Sequence, residues 1–213
     1  MYPDLAFSLP DGAKLRHKVG PNQRRVVGLG VMLDAGPYGG ASSGNTTYRR
    51  YMDTLALLGE WLLAREYDIR LLIGGVCDQP VRQELKCRLK KSLTVHDADR
   101  IIEEPDVSVD EFLSGLAGTE FVVATRFHNV LLALLCNKPV IAISFHPKCS
   151  SLMHAMGLSE YCLDINHLDA DKLIGKVRAL EQNTGDLRPL IRSRVDQFRA
   201  ALEEQFETMF NPL

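Results

Sequence analysis

The stretch EFVVATRFHNVLLALLCNKPVIAISFHPK, residues 120–148, decides the fold of this chain. Its apolar runs at 120–125 and 138–145 predict two strands, and residues 128–137 between them have the length and apolar content of a helix. Both strands are apolar on both faces, which is typical of a parallel sheet that helices cover on each side. A strand, a helix and a second strand in this order predict a βαβ unit.

The same alternation extends in both directions from this unit. Further strands are predicted at 24–33, 68–75, 99–104 and 161–165, and further helices at 46–66, 80–93, 108–118, 148–158, 169–183 and 187–210. Strand and helix alternate about six times along the chain. The predicted fold class is therefore α/β, a Rossmann-like parallel sheet with helices on both faces.

Composition narrows the function classes. A net charge of -2 argues against a dedicated nucleic-acid binder. The five cysteines contain no CxxC pair, so they favour a reduced protein over a disulfide framework and offer no zinc-ligand spacing. The N-terminus does not have the pattern of a signal peptide, and no apolar run has the length of a membrane span. We therefore expect a cytoplasmic protein without a metal site.

The first candidate site is Thr125-Arg126-Phe127-His128, where a strand ends and a helix begins. Ligands of open α/β sheets bind at the carboxyl ends of strands, and a helix N-terminus attracts an anion. A histidine there can also move a proton near neutral pH. We predict that Arg126 and His128 are catalytic and that Thr125 and Asn129 bind substrate. The alternative is that Arg126 pairs with a carboxylate and His128 only caps the helix.

Two other strand ends carry weaker signals. His146 and Lys148 follow the strand at 138–145, and we include both as substrate-binding residues. A cation at a helix start opposes the helix dipole, so Lys148 indicates a ligand anion or a side chain that reaches solvent. His146 taken alone is more simply explained by a structural role. Gly30, after the first strand, is included because it lets a ligand approach the backbone, although it can equally serve only to turn the chain.

The carboxylates after the strands are less informative. They are Asp34, Asp78, Glu103, Glu104 and Asp106. Taken singly, each is better explained as a solvated turn residue or a helix cap than as a catalytic group.

The stretch TRFHNVLLALLCNKPVIAISFHPKCSSLMHAMGLSEYCLDI, residues 125–165, resembles the C-terminal half of the polysaccharide pyruvyl transferase family. The resemblance rests on an R-x-H at a strand end, a Lys-Pro-Val strand followed by a lysine, and a Gly-Leu turn before a tyrosine and an aspartate. The matching residues here are Arg126, His128, Lys138, Pro139, Val140, Lys148, Gly157, Leu158, Tyr161 and Asp164. The opening PDLAFSLP, residues 3–10, is similar to the family's segment at the crossover between its two domains.

This resemblance implies the C-terminal half of a two-domain transferase of the glycosyltransferase-B (GT-B) type. Residues 1–24 are then the crossover arm, 25–185 the donor-binding domain and 186–213 a C-terminal helix. Family members move the enolpyruvyl unit of phosphoenolpyruvate onto a sugar, and the R-x-H pair is tied to donor binding and catalysis. The resemblance implies phosphoenolpyruvate as donor, a sugar or polysaccharide precursor as acceptor, no separate cofactor, and an N-terminal partner domain or a homodimer.

Two differences from the family pattern leave alternatives open. Family members run longer, with a full N-terminal domain before the crossover. They also often carry an arginine soon after the first strand, where this chain has GVMLD at 30–34. The alternatives are half of a nucleotide-sugar glycosyltransferase or epimerase, and a non-catalytic anion-binding or assembly domain.

Overall fold

The computed structural model describes residues 3–9, 24–33, 46–91, 99–103 and 108–210. Its strands are β1 (Val26–Gly30), β2 (Asp68–Leu72), β3 (Ile101–Glu103), β4 (Phe121–Ala124), β5 (Val140–Ser144) and β6 (Cys162–Asp164). Its α-helices are α1 (Thr46–Ala64), α2 (Gln79–Lys90), α3 (Val109–Ala117), α4 (Phe127–Leu135), α5 (Pro147–Ala155) and α6 (Ala170–Phe210). The alternation predicted from the sequence is confirmed.

The six strands form one sheet in the order β3-β2-β1-β4-β5-β6, and each neighbouring pair is parallel. Val27 of β1 lies opposite Ile69 of β2 on one side and Phe121 of β4 on the other. The strand order reverses direction between β1 and β4. The carboxyl ends of these two strands therefore form the switch point, where open α/β sheets bind ligands.

Helices cover the sheet because its strands are apolar on both sides. Every residue of β1 and β4 is buried. Helix α1 packs on α2 and β2, whereas α4 packs on α3, α5 and its flanking strands. Since crossovers between parallel strands are right-handed, reversal of the strand order places the helices of the two halves on opposite faces. The predicted fold class, α/β and Rossmann-like, is confirmed.

Helix α6 is one continuous helix of 41 residues, whereas the sequence predicts two helical stretches and a domain boundary at 185/186. Pro189 lies inside it and has no N–H for the carbonyl of Gly185, four residues earlier. Both residues are exposed, so that carbonyl can bond to water instead. In the described part of the chain, nothing beyond the helix backbone crowds the Cβ position of Gly185. The helix therefore passes through the predicted boundary without a break.

Part of the predicted crossover arm, residues 3–9, packs against α6. The buried ring of Phe7 meets the ring of Phe198 edge-on, with centroids 4.9 Å apart. Arg199 donates hydrogen bonds to the carbonyl oxygen of Phe7 at 3.2 Å and to that of Leu9 at 2.9 Å. The last helix of the chain thus fixes this part of the arm in place.

Candidate functional site

Thr125 joins the ends of β1 and β4 at the switch point. Its N–H donates to the carbonyl oxygen of Gly30 at 3.2 Å, and its hydroxyl lies 2.9 Å from the hydroxyl of Tyr51. The Tyr51 hydroxyl also accepts a hydrogen bond from the N–H of Met32 at 3.3 Å. Burial raises the pKa of Tyr51 to about 12, so this hydroxyl stays neutral. Thr125 is fully buried, and its side chain helps to hold the ends of β1 and β4 together.

Helix α4 begins at the switch point with an open N-terminus. Arg126 occupies the N-cap position with extended backbone angles, and within the described residues the helix start has no side-chain cap hydrogen bond. The N–H of Val130 donates to the carbonyl of Arg126 at 3.1 Å, which is the first turn of the helix ladder. The N–H groups of the three preceding residues cannot find such a partner within the helix. Open N–H groups and the helix dipole together favour an anion at this point.

Arg126 does not extend into this opening alone, because it pairs with the buried carboxylate of Asp78. Its Nε and Nη2 atoms bond to the two carboxylate oxygens, with Nη2 2.7 Å from Oδ1. These hydrogen bonds are the main cause of the raised pKa of Arg126. Asp78 also accepts hydrogen bonds from the N–H of Leu33 at 2.9 Å and of Gly74 at 3.2 Å. The predicted alternative, in which Arg126 pairs with a nearby carboxylate, is therefore present in the structure.

This pair corrects the interpretation of Asp78 as a solvated turn residue, since its side chain is fully buried. Asp78 holds together the segments that follow β1, β2 and β4. Gly74 makes room for the arrangement, because a Cβ atom there would lie 2.1 Å from Cδ of Arg126. The pair has no net charge, so Arg126 offers a fixed orientation for a ligand more than an unbalanced positive charge. Asp34, Glu104 and Asp106 lie outside the described residues.

Two of the predicted residues, His128 and Lys148, come together although they belong to different loops. The Lys148 ammonium lies 4.1 Å from the centre of the Phe127 ring, in the first turn of α4, and 3.1 Å from Oδ2 of Asp4. Burial raises the pKa of Asp4, but the N–H of Ala6 and the Lys148 ammonium outweigh it and hold that pKa below its ordinary value. The charge of His128 adds to this lowering.

The exposed His128 is thus part of one cluster with Asp4, Phe127 and Lys148 at the start of α4. His128 occupies the second position of the helix and does not cap it. Its ring meets that of Phe127 edge-on, with centroids 5.4 Å apart. The imidazole is therefore accessible to a ligand that approaches the open helix end.

His146 has a structural contact of its own. It is the N-cap of α5, and its ring Nδ1 accepts a hydrogen bond from the N–H of Lys148 at 3.1 Å. Pro147 follows at the first helical position, where its missing N–H costs nothing. The start of α5 is therefore closed, in contrast to that of α4.

Asn129 and Gly30 meet beneath the start of α4. Asn129 is 1% exposed, and within the described residues its Nδ2 atom has no hydrogen-bond partner. A Cβ atom at Gly30 would lie 2.9 Å from that nitrogen and 2.9 Å from Cβ of Ala124. Glycine is therefore required for the close approach of α4 to β1. A buried amide donor without a partner is costly, and a bound acceptor atom would remove that cost.

The segment that carries Arg126 and His128 lies within the part of the chain that matches a known family. The sequence profile described as polysaccharide pyruvyl transferase matches residues 1–147, which contain β1 to β5 and the whole β4–α4 junction. This chain belongs to the polysaccharide pyruvyl transferase family. The family resemblance predicted from the sequence is thus confirmed.

One curated relative of this chain is the amylovoran biosynthesis protein AmsJ of Erwinia amylovora. It is 27% identical to this chain over 84 residues, which make up 39% of this chain and 20% of the relative. The aligned part thus spans about a fifth of the relative's length. The family to which the chain belongs is named for the modification of polysaccharides.

Solved structures with a similar fold are transferases of sugars. An O-GlcNAc transferase mutant of Thermobaculum terrenum has a TM-score of 0.57 at 19% identity, over 89% of this chain and 37% of its own. The C-terminal domain of the group 1 glycosyltransferase LpcC from Francisella tularensis has a TM-score of 0.52 at 15% identity, over 82% and 83% of the two chains. At these identities the similarity shows the fold alone. It confirms the predicted likeness to the C-terminal half of a GT-B-type transferase.

Within the described residues, no group of three or more His, Cys, Asp or Glu side chains is arranged to hold a metal ion. No helix in the same part of the chain is long and apolar enough to cross a membrane.

Sequence reasoning missed Asp78, Tyr51 and Asp4 as members of the site. Asp78 follows β2, and the predicted strand order of a Rossmann-like sheet places that end beside β1. The position of Asp78 at the switch point could therefore be predicted from the sequence, although its pairing with Arg126 could not. Tyr51 gave no signal, because a tyrosine at helical spacing among leucines is typical of a core residue.

Proposed function

We propose that this chain is the donor-binding part of a polysaccharide pyruvyl transferase that uses phosphoenolpyruvate and a sugar hydroxyl. The observation that carries the proposal is the open start of α4 at the switch point, with Arg126 before it and His128 in its first turn. Membership of the family supports the same assignment. The cytoplasmic location expected from the sequence stays part of this proposal.

Phosphoenolpyruvate has two anionic groups, and the start of α4 offers donors for both. The open N–H groups of the first helical turn bind one group, in the manner of helix N-termini that hold phosphate. The Lys148 ammonium and the part of the Arg126 guanidinium not used by Asp78 bind the other. The Arg126–Asp78 pair fixes the plane of the guanidinium, so little side-chain entropy is lost when a ligand binds.

His128 is the acid of the proposed reaction. It donates a proton to the methylene carbon of phosphoenolpyruvate, which turns the neighbouring carbon into a cationic centre. A sugar hydroxyl adds to that centre and returns its proton to His128, and the phosphate then leaves. A second hydroxyl of the same sugar adds in its place, its proton goes to the phosphate, and a pyruvate ketal results. Histidine suits both transfers because it gains and loses a proton near neutral pH.

The test compares His128→Gln with the wild-type protein in phosphoenolpyruvate binding and in phosphate release with a panel of acceptor sugars. We expect phosphate release to fall by about 10²–10⁴-fold, the usual contribution of a general acid, while phosphoenolpyruvate binding changes little. His154→Gln is the matched control, since His154 is an exposed histidine of α5 and its ring contacts Ser159. Equal phosphate release by the two variants would contradict the role of His128.

Thermal shift measurements separate this function from the alternatives. Stabilisation by phosphoenolpyruvate and not by uridine or guanosine sugar nucleotides supports the donor proposed here. Stabilisation by a sugar nucleotide alone would show a glycosyltransferase or epimerase half instead. Binding of phosphoenolpyruvate without phosphate release, whatever the acceptor and even with the partner domain or second copy in place, would show a non-catalytic anion-binding domain.

The partner of this domain is also part of the proposal. The chain covers 37% of the Thermobaculum transferase and its alignment covers 20% of AmsJ, so both of those proteins contain much that has no counterpart in the alignment. We propose that an N-terminal partner domain or a second copy of the chain completes the cleft. A homodimer is checked by sedimentation equilibrium, and a monomeric mass together with full activity would contradict both forms of this proposal.

A further inference from the structure

A depression of about 440 Å³ lies at the carboxyl ends of β5 and β6, beside the switch point. The loop from β5 to α5 and the segment around β6 form its walls. Its volume is in the range of ligand-binding pockets, roughly 300–1,000 Å³. Neighbouring strands lie about 4.8 Å apart, so a ligand that extends from α4 to β6 spans roughly 10 Å. The reaction proposed above leaves this depression without a role.

Hydroxyl groups dominate the polar lining. Ser144, Ser150 and Ser159 line the depression, together with the amide of Asn166. The Ser144 hydroxyl donates to the carbonyl of His146 and the Ser150 hydroxyl to that of Pro147, each at 3.0 Å. Since these protons are already used, the two hydroxyl oxygens are left as acceptors. Acceptors of this kind suit a ligand that is rich in hydroxyl protons.

His146 and Phe145 complete the surface with a donor and an apolar plane. The Nδ1 atom of His146 accepts the N–H of Lys148, so in the neutral ring the proton is on Nε2, which is left as a donor. Phe145 is 38% exposed, so part of its ring is open to a ligand. A sugar ring has an apolar face of C–H groups and a rim of hydroxyls, and this lining matches both.

The charge of the depression differs from that of the α4 start. Among its described lining residues there is no lysine or arginine, and the carboxylate is that of Asp164. The hydrogen bond from the N–H of Asn166 is the main cause of the lowered pKa of Asp164, so the group is ionised at neutral pH. Oδ1 of Asp164 already accepts hydrogen bonds from the N–H and the Nδ2 of Asn166, whereas Oδ2 lies 3.2 Å from Nδ1 of His167 and keeps room for a ligand hydroxyl. A carboxylate also repels a phosphate or a uronate.

We infer that the depression at the ends of β5 and β6 binds an uncharged saccharide ring. The ring packs on Phe145 and its hydroxyls bond to the serine oxygens, Nε2 of His146 and Asp164. The inference rests on the proposed function in one respect, which is that it names this ring as the acceptor. The sheet edge then divides the two substrates by charge, with the anionic donor at α4 and the neutral acceptor at β5 and β6.

The experiment is a pair of titrations followed by ¹H–¹⁵N correlation spectra of the full chain. The first uses the neutral sugars glucose, galactose, mannose and N-acetylglucosamine, with glucuronate as the anionic counterpart of glucose. We expect at least one neutral sugar to shift the amides of residues 144–150 and 159–166, with glucuronate binding more weakly than glucose. Phe145→Ala should weaken the binding about tenfold, the effect of losing an aromatic contact surface.

Phe206→Ala is the matched control, because Phe206 is 41% exposed on α6 and does not line the depression. The second titration uses phosphoenolpyruvate and reports on the amides of residues 126–130. Sugar shifts without phosphoenolpyruvate shifts would support the saccharide site and contradict the donor, and the reverse result would do the opposite. The saccharide site is overturned if no neutral sugar shifts these amides, if glucuronate binds as tightly as glucose, or if Phe145→Ala and Phe206→Ala behave alike.

Discussion

Helices α4 and α5 follow neighbouring strands, and a Phe-His pair lies at the start of each, yet one helix start is open and the other is closed. Phe127 and His128 are the first two residues of α4, whereas Phe145 and His146 directly precede α5. In α5, His146 is the N-cap and its ring accepts the N–H of Lys148. In α4, the N-cap is Arg126 and the histidine, His128, comes two positions later. A shift of two positions relative to the helix start thus converts a histidine from a cap into an accessible side chain.

The N-cap residue of α4, Arg126, makes a different contact instead of capping the helix. Arg126 cannot accept a hydrogen bond from an N–H, and its guanidinium is turned to Asp78. A residue of low capping ability therefore keeps the helix end open, and an ion pair compensates by holding the same strand ends together. In this protein, the backbone around the open N-terminus of α4 is held in place by an ion pair instead of a helix cap.

The largest effect is expected from Asp78→Ala, which removes that support. The change leaves the partly buried Arg126 and the N–H groups of Leu33 and Gly74 without their acceptor. We expect the free energy of unfolding to fall by about 2–4 kcal/mol, as measured by urea denaturation. Asp53→Ala is the control, because Asp53 is exposed and pairs with Arg88, and it should cost under about 1 kcal/mol. Similar losses in the two variants would show that the buried Asp78–Arg126 pair stabilises the fold no more than the exposed Asp53–Arg88 pair does.

A smaller effect is expected from Gly74→Ala, because the added methyl group would collide with Arg126, the partner of Asp78. The added Cβ would lie 2.1 Å from Cδ of Arg126, so the side chain has to move away from Asp78. We expect a loss of about 1–3 kcal/mol in the free energy of unfolding, together with weaker phosphoenolpyruvate binding.

Gly75→Ala provides the adjacent control for this steric effect. Its nearest contact would be Sγ of Cys77 at 3.7 Å, and its backbone is extended, so the residue tolerates a side chain. We expect Gly75→Ala to leave stability and binding close to the wild type. If both glycine variants lose the same amount, the contact with Arg126 is not the cause.

The two histidines should differ in how much each contributes to stability. His146→Ala removes the cap of α5 and should lower the free energy of unfolding by about 0.5–1 kcal/mol, whereas His128→Ala should change it by less than about 0.5 kcal/mol. Urea denaturation measures both. His146→Asn, which restores an N-cap acceptor, should recover most of the loss. A larger loss for His128→Ala than for His146→Ala would reverse the comparison.

The smallest effect concerns the contact between Asp4 and Lys148, which connects the two helix starts. The pKa of Asp4 is held below its ordinary value of 3.8, so its contribution to stability is complete above that value and is lost as the pH falls through the folded-state pKa. We expect Asp4→Asn to cost under about 1 kcal/mol at neutral pH, because the Lys148 side chain is 55% exposed.

The pH dependence is measured by urea denaturation of Asp4→Asn and wild type across the acid range. The difference between them should shrink below pH 3.8 and disappear once Asp4 is protonated in the folded protein. Asp186→Asn, at an exposed position of α6, is the control and should show little difference at any pH. A difference that grows on acidification would mean that the sign of the Asp4 contribution is opposite to the one expected.

The fold was predictable because its signal is local. Apolar runs at 121–124 and 140–144, with a helix between them, are read within a few tens of residues, and the structure places strands there. The break expected near 185 was the exception. A proline and a glycine ordinarily interrupt a helix, but Gly185 and Pro189 are exposed, where water can replace the lost hydrogen bond.

The site was predictable only in part, because its contacts are distant in sequence. Arg126 and His128 were proposed as site residues from their place after a strand, and the structure locates both at the β4–α4 junction. The partner of Arg126 lies 48 residues away and that of Lys148 lies 144 residues away, and neither separation has a periodic signal. The choice of partner depends on strand order and on the path of the arm, which a single sequence does not encode as a local pattern.

Gly74, Asp78 and Arg126 form a unit whose members make sense only together. A side chain at Gly74 is incompatible with the position of Arg126, and Asp78 without Arg126 would be a buried charge with no counter-ion. In related sequences we therefore expect the three positions to change together or to be retained together. A lineage that has replaced the arginine would no longer require glycine at position 74, because the contact that excludes a side chain there would be gone.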